Sequence, residues 1–311
     1  MDNIICIAGP TATGKTKLSV ALAQALGAEI VSFDSMQVYR GMDIGTAKPD
    51  LEERGGVPHY MFDVADPAEN FSVSRYVEMA DPMVQDILRR GKPVILVGGT
   101  GLYADSLVAG RDFAPMPRTG RREALEKQAA EEGIGPLYEK LKEVDPESAA
   151  AIHPANQKRV IRALEVYLET GRPLSQHNRE TREKPPKYHP IWIGLDYVNR
   201  EDLYARIDAR VDEMFRLGLA EEVESLLKQG IPGNATSMQA IGYKELVSAL
   251  RGELSMEEAR ENIKKGTRHY AKRQRTWFRR NPAIHWLELP GEPDFEKIYF
   301  QARQLLPQFD T

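Results

Sequence analysis

With 311 residues, 41% hydrophobic and 28% charged, the chain has an ordinary globular composition and is long enough for one large domain or two smaller ones. The balance of 42 basic and 46 acidic side chains gives a formal charge of -4, which excludes a protein basic all over but permits a local basic patch. One cysteine excludes an internal disulfide framework and a cysteine-rich zinc site, and no apolar run approaches the roughly 18 residues of a membrane span.

Met1-Asp2-Asn3 lacks the basic character of a secretory leader, so a cytoplasmic protein with no membrane partner is expected. Ile4–Ala8 reads as a buried strand, with Cys6 as a small core residue, and Lys15–Leu26 as a helix ended by Gly27. Glu29–Phe33 is a second strand, a helix runs to about Arg90, and Val94–Val97 is a third strand. Alternation of helices with continuous apolar strands predicts an α/β fold, a parallel sheet with helices on both faces.

After Phe113 the pattern changes at Pro115 and Pro117. Helices at Arg121–Glu132, Pro136–Val144, Pro146–Ile152 and Asn156–Thr170 follow with no strand between them. A polar stretch with Lys184, Pro185, Pro186 and Pro190 closes this block, and Ile191–Leu195 resumes as a strand. The expected organisation is therefore a first core part over 1–113, an inserted all-helical domain over 114–190, and a second core part over 191–311. Helices are expected from Arg200 to about Lys228, over Tyr243–Leu250, and from Met256 to about Arg280, the last with Ser255 as N-cap and Glu258 three residues on.

Three features carry chemistry. The first is Gly9-Pro10-Thr11-Ala12-Thr13-Gly14-Lys15-Thr16, which satisfies G-x-x-x-x-G-K-[ST] between a strand and a helix, the setting of a phosphate-binding P-loop. Its N–H groups and the helix N-terminus favour anions, Lys15 adds a full charge, and the Thr16 hydroxyl can ligate Mg²⁺. Val94–Val97 runs into Gly98-Gly99-Thr100-Gly101 with no acid. Ile191–Leu195 is followed by Asp196, read as a solvated strand end, so phosphate binding is firmer than ATP hydrolysis. The second feature is Asp34 after the second strand, on the rim where an open parallel sheet holds its ligands; a turn or cap role is the alternative. The third is the acid-free run Lys264–Arg280, with Arg268, Lys272, Arg275 and Arg279 on one helical face and Tyr270, Gln274, Trp277 and Phe278 on another. Cations without counter-charges in an acidic chain favour a polyanion, against a solvated face or a membrane-surface helix as alternatives.

Six blocks resemble the tRNA dimethylallyltransferase (isopentenyl-tRNA transferase) family, bacterial type, over nearly the whole chain. Besides the P-loop they are Asp34-Ser35-Met36-Gln37-Val38-Tyr39, the run from Met42 to Pro49, and the run from Leu96 to Tyr103. The others are Arg162–Val166, Ile241–Glu245 and Tyr270–Arg279. The resemblance implies transfer of dimethylallyl from dimethylallyl diphosphate to N6 of adenosine 37 in the tRNA anticodon loop, by a chain expected to be monomeric. Asp34 would accept the amine proton and Thr100 would orient the amine or that carboxylate. Arg210 would join the P-loop in holding diphosphate. RNA contacts are implied for Asp34, Ser35, Met36, Gln37 and Thr100, and for Arg122, Gln157, Lys158, Arg159 and Arg162 in the helical block. They are also implied for Gln239, Gly242 and Lys244, and for Lys272, Arg273, Gln274, Arg275 and Arg279. Two other classes fit parts of the pattern: an ATP-dependent small-molecule kinase, and an RNA-binding protein switched by a nucleotide.

Overall fold

The computed structural model describes residues 3–111, 113, 119–183 and 185–309. They form two compact units, one from residues up to Gly110 and from Lys187 onward, the other Arg111–Pro186. Pro115, Pro117 and Lys184, which mark the ends of the inserted block in the sequence, lie outside the described residues.

The larger unit is built on β1 (Ile4–Ala8), β2 (Glu29–Ser32), β3 (His59–Tyr60), β4 (Val94–Val97), β5 (Ile191–Tyr197) and β6 (Ile284–Leu289). All neighbours are parallel, in the order β3-β2-β4-β1-β5-β6. β1 is central: Ile5 lies opposite Ile95 of β4 on one side and Ile191 of β5 on the other. All five β1 residues are buried, as a strand covered on both faces requires. Alternation splits the side chains between two layers. Ile5, Ile7, Ile95, Val97, Ile193 and Leu195 pack in one core with α1 (Lys15–Leu26) and with Leu203 and Ile207 of α9 (Arg200–Arg216). The opposite face is covered by α2 (Val73–Arg89), whose buried Tyr76 lies beside Cys6.

The remaining helices of this unit are α3 (Gly101–Val108), α10 (Leu219–Lys228), α11 (Tyr243–Leu250), α12 (Met256–Phe278) and α13 (Phe295–Gln304). Ser255 caps α12, its hydroxyl accepting from Glu258 N while the Glu258 carboxylate accepts from Ser255 N. The helical stretch expected from Arg200 to about Lys228 divides at Gly218, which takes φ +97° and starts a new axis. β2 stops at Ser32 rather than Phe33, and β5 runs to Tyr197 rather than Leu195.

The second unit holds α4 (Arg121–Glu132), α5 (Gly135–Val144), α6 (Pro146–Ala151), α7 (Gln157–Thr170) and α8 (Leu174–Glu183) around its own core. Leu125, Leu137, Leu141, Val160, Ile161 and Leu164 fill it. Buried Asp145 ties the unit together: one carboxylate oxygen caps α6 at Ser148 N, 3.0 Å, and the other accepts from Ser175 N, 3.0 Å. α8, between the helix ended by Gly171 and the prolines that close this block, carries no mark in the sequence reading.

Candidate active site

β1 feeds directly into the P-loop. Gly9 has φ +142°, and a Cβ there would stand 2.3 Å from the Leu195 carbonyl oxygen, so the loop lies flat on β5 as only glycine permits. The Thr13 hydroxyl and the Lys15 ammonium both donate to the Pro10 carbonyl, at 2.9 and 2.6 Å. Gly14, in the left-handed region, caps α1 without a side chain. The first-turn N–H groups of α1 therefore have no side-chain acceptor at the cap and point where an anion is stabilised. The Thr16 hydroxyl has no hydrogen-bond partner among the described residues.

Two cations serve this loop. Burial, and secondarily the Arg210 guanidinium, bring Lys15 down to about 7, with Asp34 acting in the opposite direction. Burial also lowers Arg210, on α9, and is opposed by Asp34 and Glu53. Neither Lys15 nor Arg210 forms an ion pair among the described residues. Two desolvated positive groups beside a bare helix N-terminus are a site for a doubly charged anion.

Asp34 and Thr100 are brought together by the sheet. Phe33 N donates to Val97 O at 2.9 Å and Thr100 N to Phe33 O at 3.3 Å, so the two strand ends run out side by side. The Asp34 Oδ1 atom accepts from Met36 N and Gln37 N, at 2.8 and 3.3 Å, which makes the turn reading of Asp34 right for one oxygen. Oδ2 has no hydrogen bond among the described residues. The Thr100 hydroxyl accepts from Ser35 N at 3.0 Å and donates to the Ser35 hydroxyl at 3.2 Å. Tyr270 joins them: its hydroxyl lies against the Thr100 and Gln274 side chains, and burial, reinforced by the Asp34 charge, pushes it well up, so it stays protonated. Helical spacing put Tyr270 on the same face as Gln274, but nothing in the sequence says which loop that face meets.

α12 completes the site in a way the sequence misrepresents. Gln274 is buried, accepting from Thr11 N at 2.9 Å and donating to Gly99 O at 3.0 Å, so it clips the P-loop to the second glycine loop. Gly99 and Gly101 leave room for that helix: added Cβ atoms would stand 2.2 Å from Gln274 and 2.1 Å from Trp277. Trp277 donates to Asp105 at 2.9 Å. The expectation of a helix without counter-charges is corrected. Arg268 holds Asp208 through two bonds of 2.9 and 3.0 Å, and Lys264 pairs with Asp212 and Glu261. Arg275 and Arg279 both grip Asp196, at 2.8 and 3.0 Å. Asp196 is thus 2% exposed and ion-paired, not a solvated strand end. Lys272, Arg273 and Arg280 have no ion pair among the described residues; Arg273 stacks over Tyr270 and Arg280 over Trp277.

The segment from Met42 to Pro49 is held chiefly by Glu222, which sequence reasoning passed over. The Glu222 carboxylate, on α10, accepts from the consecutive N–H groups of Asp43, Ile44 and Gly45 at 2.8, 2.7 and 3.1 Å, and from the Tyr243 hydroxyl at 2.6 Å. Gln37 is half-buried and donates to Thr46 O and Ala47 O, while Lys48 is buried between Asp43 and Asp63. Gly242 is also buried, its N–H capped by Glu245; Lys244 pairs with Glu245, and exposed Gln239 bonds Gly233 O.

In the helical unit, Arg162 pairs with Glu165 at 2.8 Å, and Arg122 with Glu126 and Glu165 at 3.0 and 3.8 Å. Gln157, Lys158 and Arg159 are exposed in the first turn of α7. The first two line an open hollow of about 780 Å³ with His153 and Asn156.

Among the described residues no cluster of three or more His, Cys, Asp or Glu side chains is arranged to cage a metal. The Thr16 hydroxyl at the start of α1 fits instead a hard cation that arrives on phosphate oxygens and keeps several waters. Among the described residues no helix is long and apolar enough to cross a membrane.

Comparison with known proteins gives a consistent result. The family model described as IPP transferase matches residues 37–281. The chain is 51% identical to the tRNA dimethylallyltransferase of Caldanaerobacter subterraneus subsp. tengcongensis over 297 residues, 95% of this chain and 94% of that one. It is 47% identical to the protein of the same name from Acetivibrio thermocellus over 310 residues, 99% of each. The crystal structure of the full-length tRNA isopentenylpyrophosphate transferase from Bacillus halodurans superposes with a TM-score of 0.74 at 42% identity, covering 99% of this chain and 97% of that one. A eukaryotic dimethylallyltransferase captured acting on tRNA gives 0.82 at 31% identity, covering 98% and 77%.

Proposed function

This chain belongs to the IPP transferase family, and on that premise we propose that it moves a dimethylallyl group from dimethylallyl diphosphate to N6 of adenosine 37 in the anticodon stem-loop of tRNA. The observation that carries the reading is the meeting of an anion site with a carboxylate. Lys15 and Arg210, both free of ion pairs among the described residues, adjoin Asp34, which keeps one oxygen free of hydrogen bonds.

The allylic C–O bond breaks as the N6–C bond forms, and the leaving diphosphate takes the bonding pair. P-loop N–H groups, Lys15 and Arg210 would stabilise the charge that develops on it. Mg²⁺ held by Thr16 and the diphosphate would supply further neutralisation of that charge. The adenine amine is a weak nucleophile because its lone pair is delocalised, and it sheds a proton as the bond forms; Asp34 Oδ2 is the acceptor we assign. Thr100, with Ser35 on one side and Tyr270 on the other, would orient the amine. The base must leave the loop stack to reach this point. Gln157, Lys158, Arg159, Lys272 and Arg273 are exposed cations or amides suited to RNA phosphates, and Arg122, Arg162, Gln239, Lys244 and Arg279 are exposed candidates already engaged in local bonds. Ser35, Met36, Gln37, Gly242, Gln274 and Arg275 support the site from within. The reading extends to the cytoplasm as compartment and a monomer as working unit.

The test is incubation with Mg²⁺, unmodified tRNA and dimethylallyl diphosphate or ATP, followed by nucleoside analysis. Prenylated adenosine is the expected product; its absence together with phosphate transfer from ATP supports a kinase instead. Asp34→Asn retains an oxygen for the Met36 and Gln37 N–H groups but removes the base, so turnover falls about 10²- to 10⁴-fold with tRNA binding intact. Unchanged turnover removes Asp34 from that role.

A further inference from the structure

We propose that Glu222 is a positioning residue for the transfer step, holding the 43–47 loop so that Gln37 fixes the turn that aims Asp34. The inference rests on the prenyl-transfer reading above. Glu222 forms no ion pair among the described residues. Its whole charge is directed at four donors: three successive backbone N–H groups and one phenol. Charge-assisted bonds of 2.6–3.1 Å on both oxygens leave the loop one conformation.

The path to the site is continuous and short. Tyr243 is fully buried, and a Cβ on Gly45 would stand 2.5 Å from its ring, so the loop seats directly against α11. One and two residues beyond Gly45, the carbonyls of Thr46 and Ala47 accept from Gln37 Nε2, at 3.2 and 3.1 Å. The Gln37 Oε1 atom accepts from the Ser32 hydroxyl, which in turn accepts from Asp34 N at 3.3 Å. Gln37 N donates to Asp34 Oδ1. Moving the loop carbonyls therefore releases Gln37, and with it both hydrogen bonds through which Gln37 and Ser32 orient Asp34. None of these bonds involves the P-loop, Lys15 or Arg210, so the path touches the proton acceptor and not the diphosphate site.

Glu222→Gln is the diagnostic change. A carboxylate offers acceptors on both sides, whereas an amide must turn its NH₂ toward either Gly45 N–H or the Asp43 and Ile44 N–H pair. Steady-state kinetics on the full chain with tRNA should show kcat reduced about tenfold and KM for dimethylallyl diphosphate within about twofold. In an Asp34→Asn background the same change should cost less than about twofold, because its effect travels through Asp34. A merely structural Glu222 would lower activity by the same factor in both backgrounds, and that result overturns the inference, as does an unchanged kcat in folded Glu222→Gln. Should that variant melt below the assay temperature, Glu222→Asp keeps two acceptors one methylene short, and the same pair of backgrounds decides. A wild-type chain without prenyl transfer sinks the underlying reading as well; a normal wild type with multiplicative losses sinks this inference alone.

Discussion

Replacing Gln274 with alanine tests how far α12 supports the phosphate loop. Two hydrogen bonds disappear, and the groups left behind differ. Thr11 N–H is on a partly exposed residue and regains water, whereas Gly99 O faces the buried side chain and does not. A lost bond whose partner is rehydrated costs about 1 kcal/mol, and a buried acceptor left unsatisfied costs about 2 kcal/mol, so the sum is about 3 kcal/mol. For a chain of this size that is a melting-point drop of about 5 °C, read by circular dichroism or calorimetry. The activity should move too. Thr11 lies inside the loop, so KM for dimethylallyl diphosphate should rise severalfold, while Glu222 and Asp34 are not on this path. A melting point within 1 °C of wild type and an unchanged KM would refute the argument that Gln274 holds the loop.

The remaining predictions concern charge. Lys15 is brought down to about 7 from an ordinary 10.5, so between those values the unfolded chain carries a proton that the folded one lacks. Its contribution to stability therefore rises with pH across that window and is unfavourable below it. A bound diphosphate restores the ammonium, so titration calorimetry at pH 8 in buffers of different ionisation enthalpy should show uptake of nearly one proton per diphosphate; no uptake would refute the assignment. On α12, unpaired Lys272 and paired Arg275 should separate. Lys272→Ala should leave the melting point within about 1 °C and lower the salt slope of tRNA binding by about one unit. Arg275→Ala strips buried Asp196 of a partner and should cost about 2–3 kcal/mol, with Arg279 still in place. The reverse ranking would show that Arg275 belongs to the RNA surface.

What was legible in the sequence is what local pattern encodes. β1, α1 and the loop between them follow from an apolar run, a glycine motif and a C-capping glycine. β6 is hard to read because buried, half-buried and exposed positions from Ile284 to Leu289 do not alternate strictly, and the segment follows a long helix that invites continuation. β3 is two residues long and carries no periodicity. The harder failures concern partners far along the chain. Asp196 looks like a strand end until Arg275 and Arg279, on another element, close over it. Gly98–Gly101 invites a ligand, yet two of its glycines are there for a helix nearly two hundred residues away. Glu222 sits in an ordinary amphipathic helix, and only the fold brings a loop to it.

The central place of β1 has a consequence for synthesis. Its partners on one side, β4 and then β2, are made first, but the strand on its other side begins only at Ile191. Until then the edge from Ile5 to Ala8 offers unpaired peptide groups flanked by apolar side chains. At roughly 5–20 residues per second the ribosome needs roughly 5–20 s to deliver residues 98–190. The emerging chain therefore holds an open, sticky sheet edge for that interval, at the strand that leads into its phosphate loop. Slowed translation through the helical block lengthens that exposure, and a chaperone that masks strand edges has its longest opportunity there.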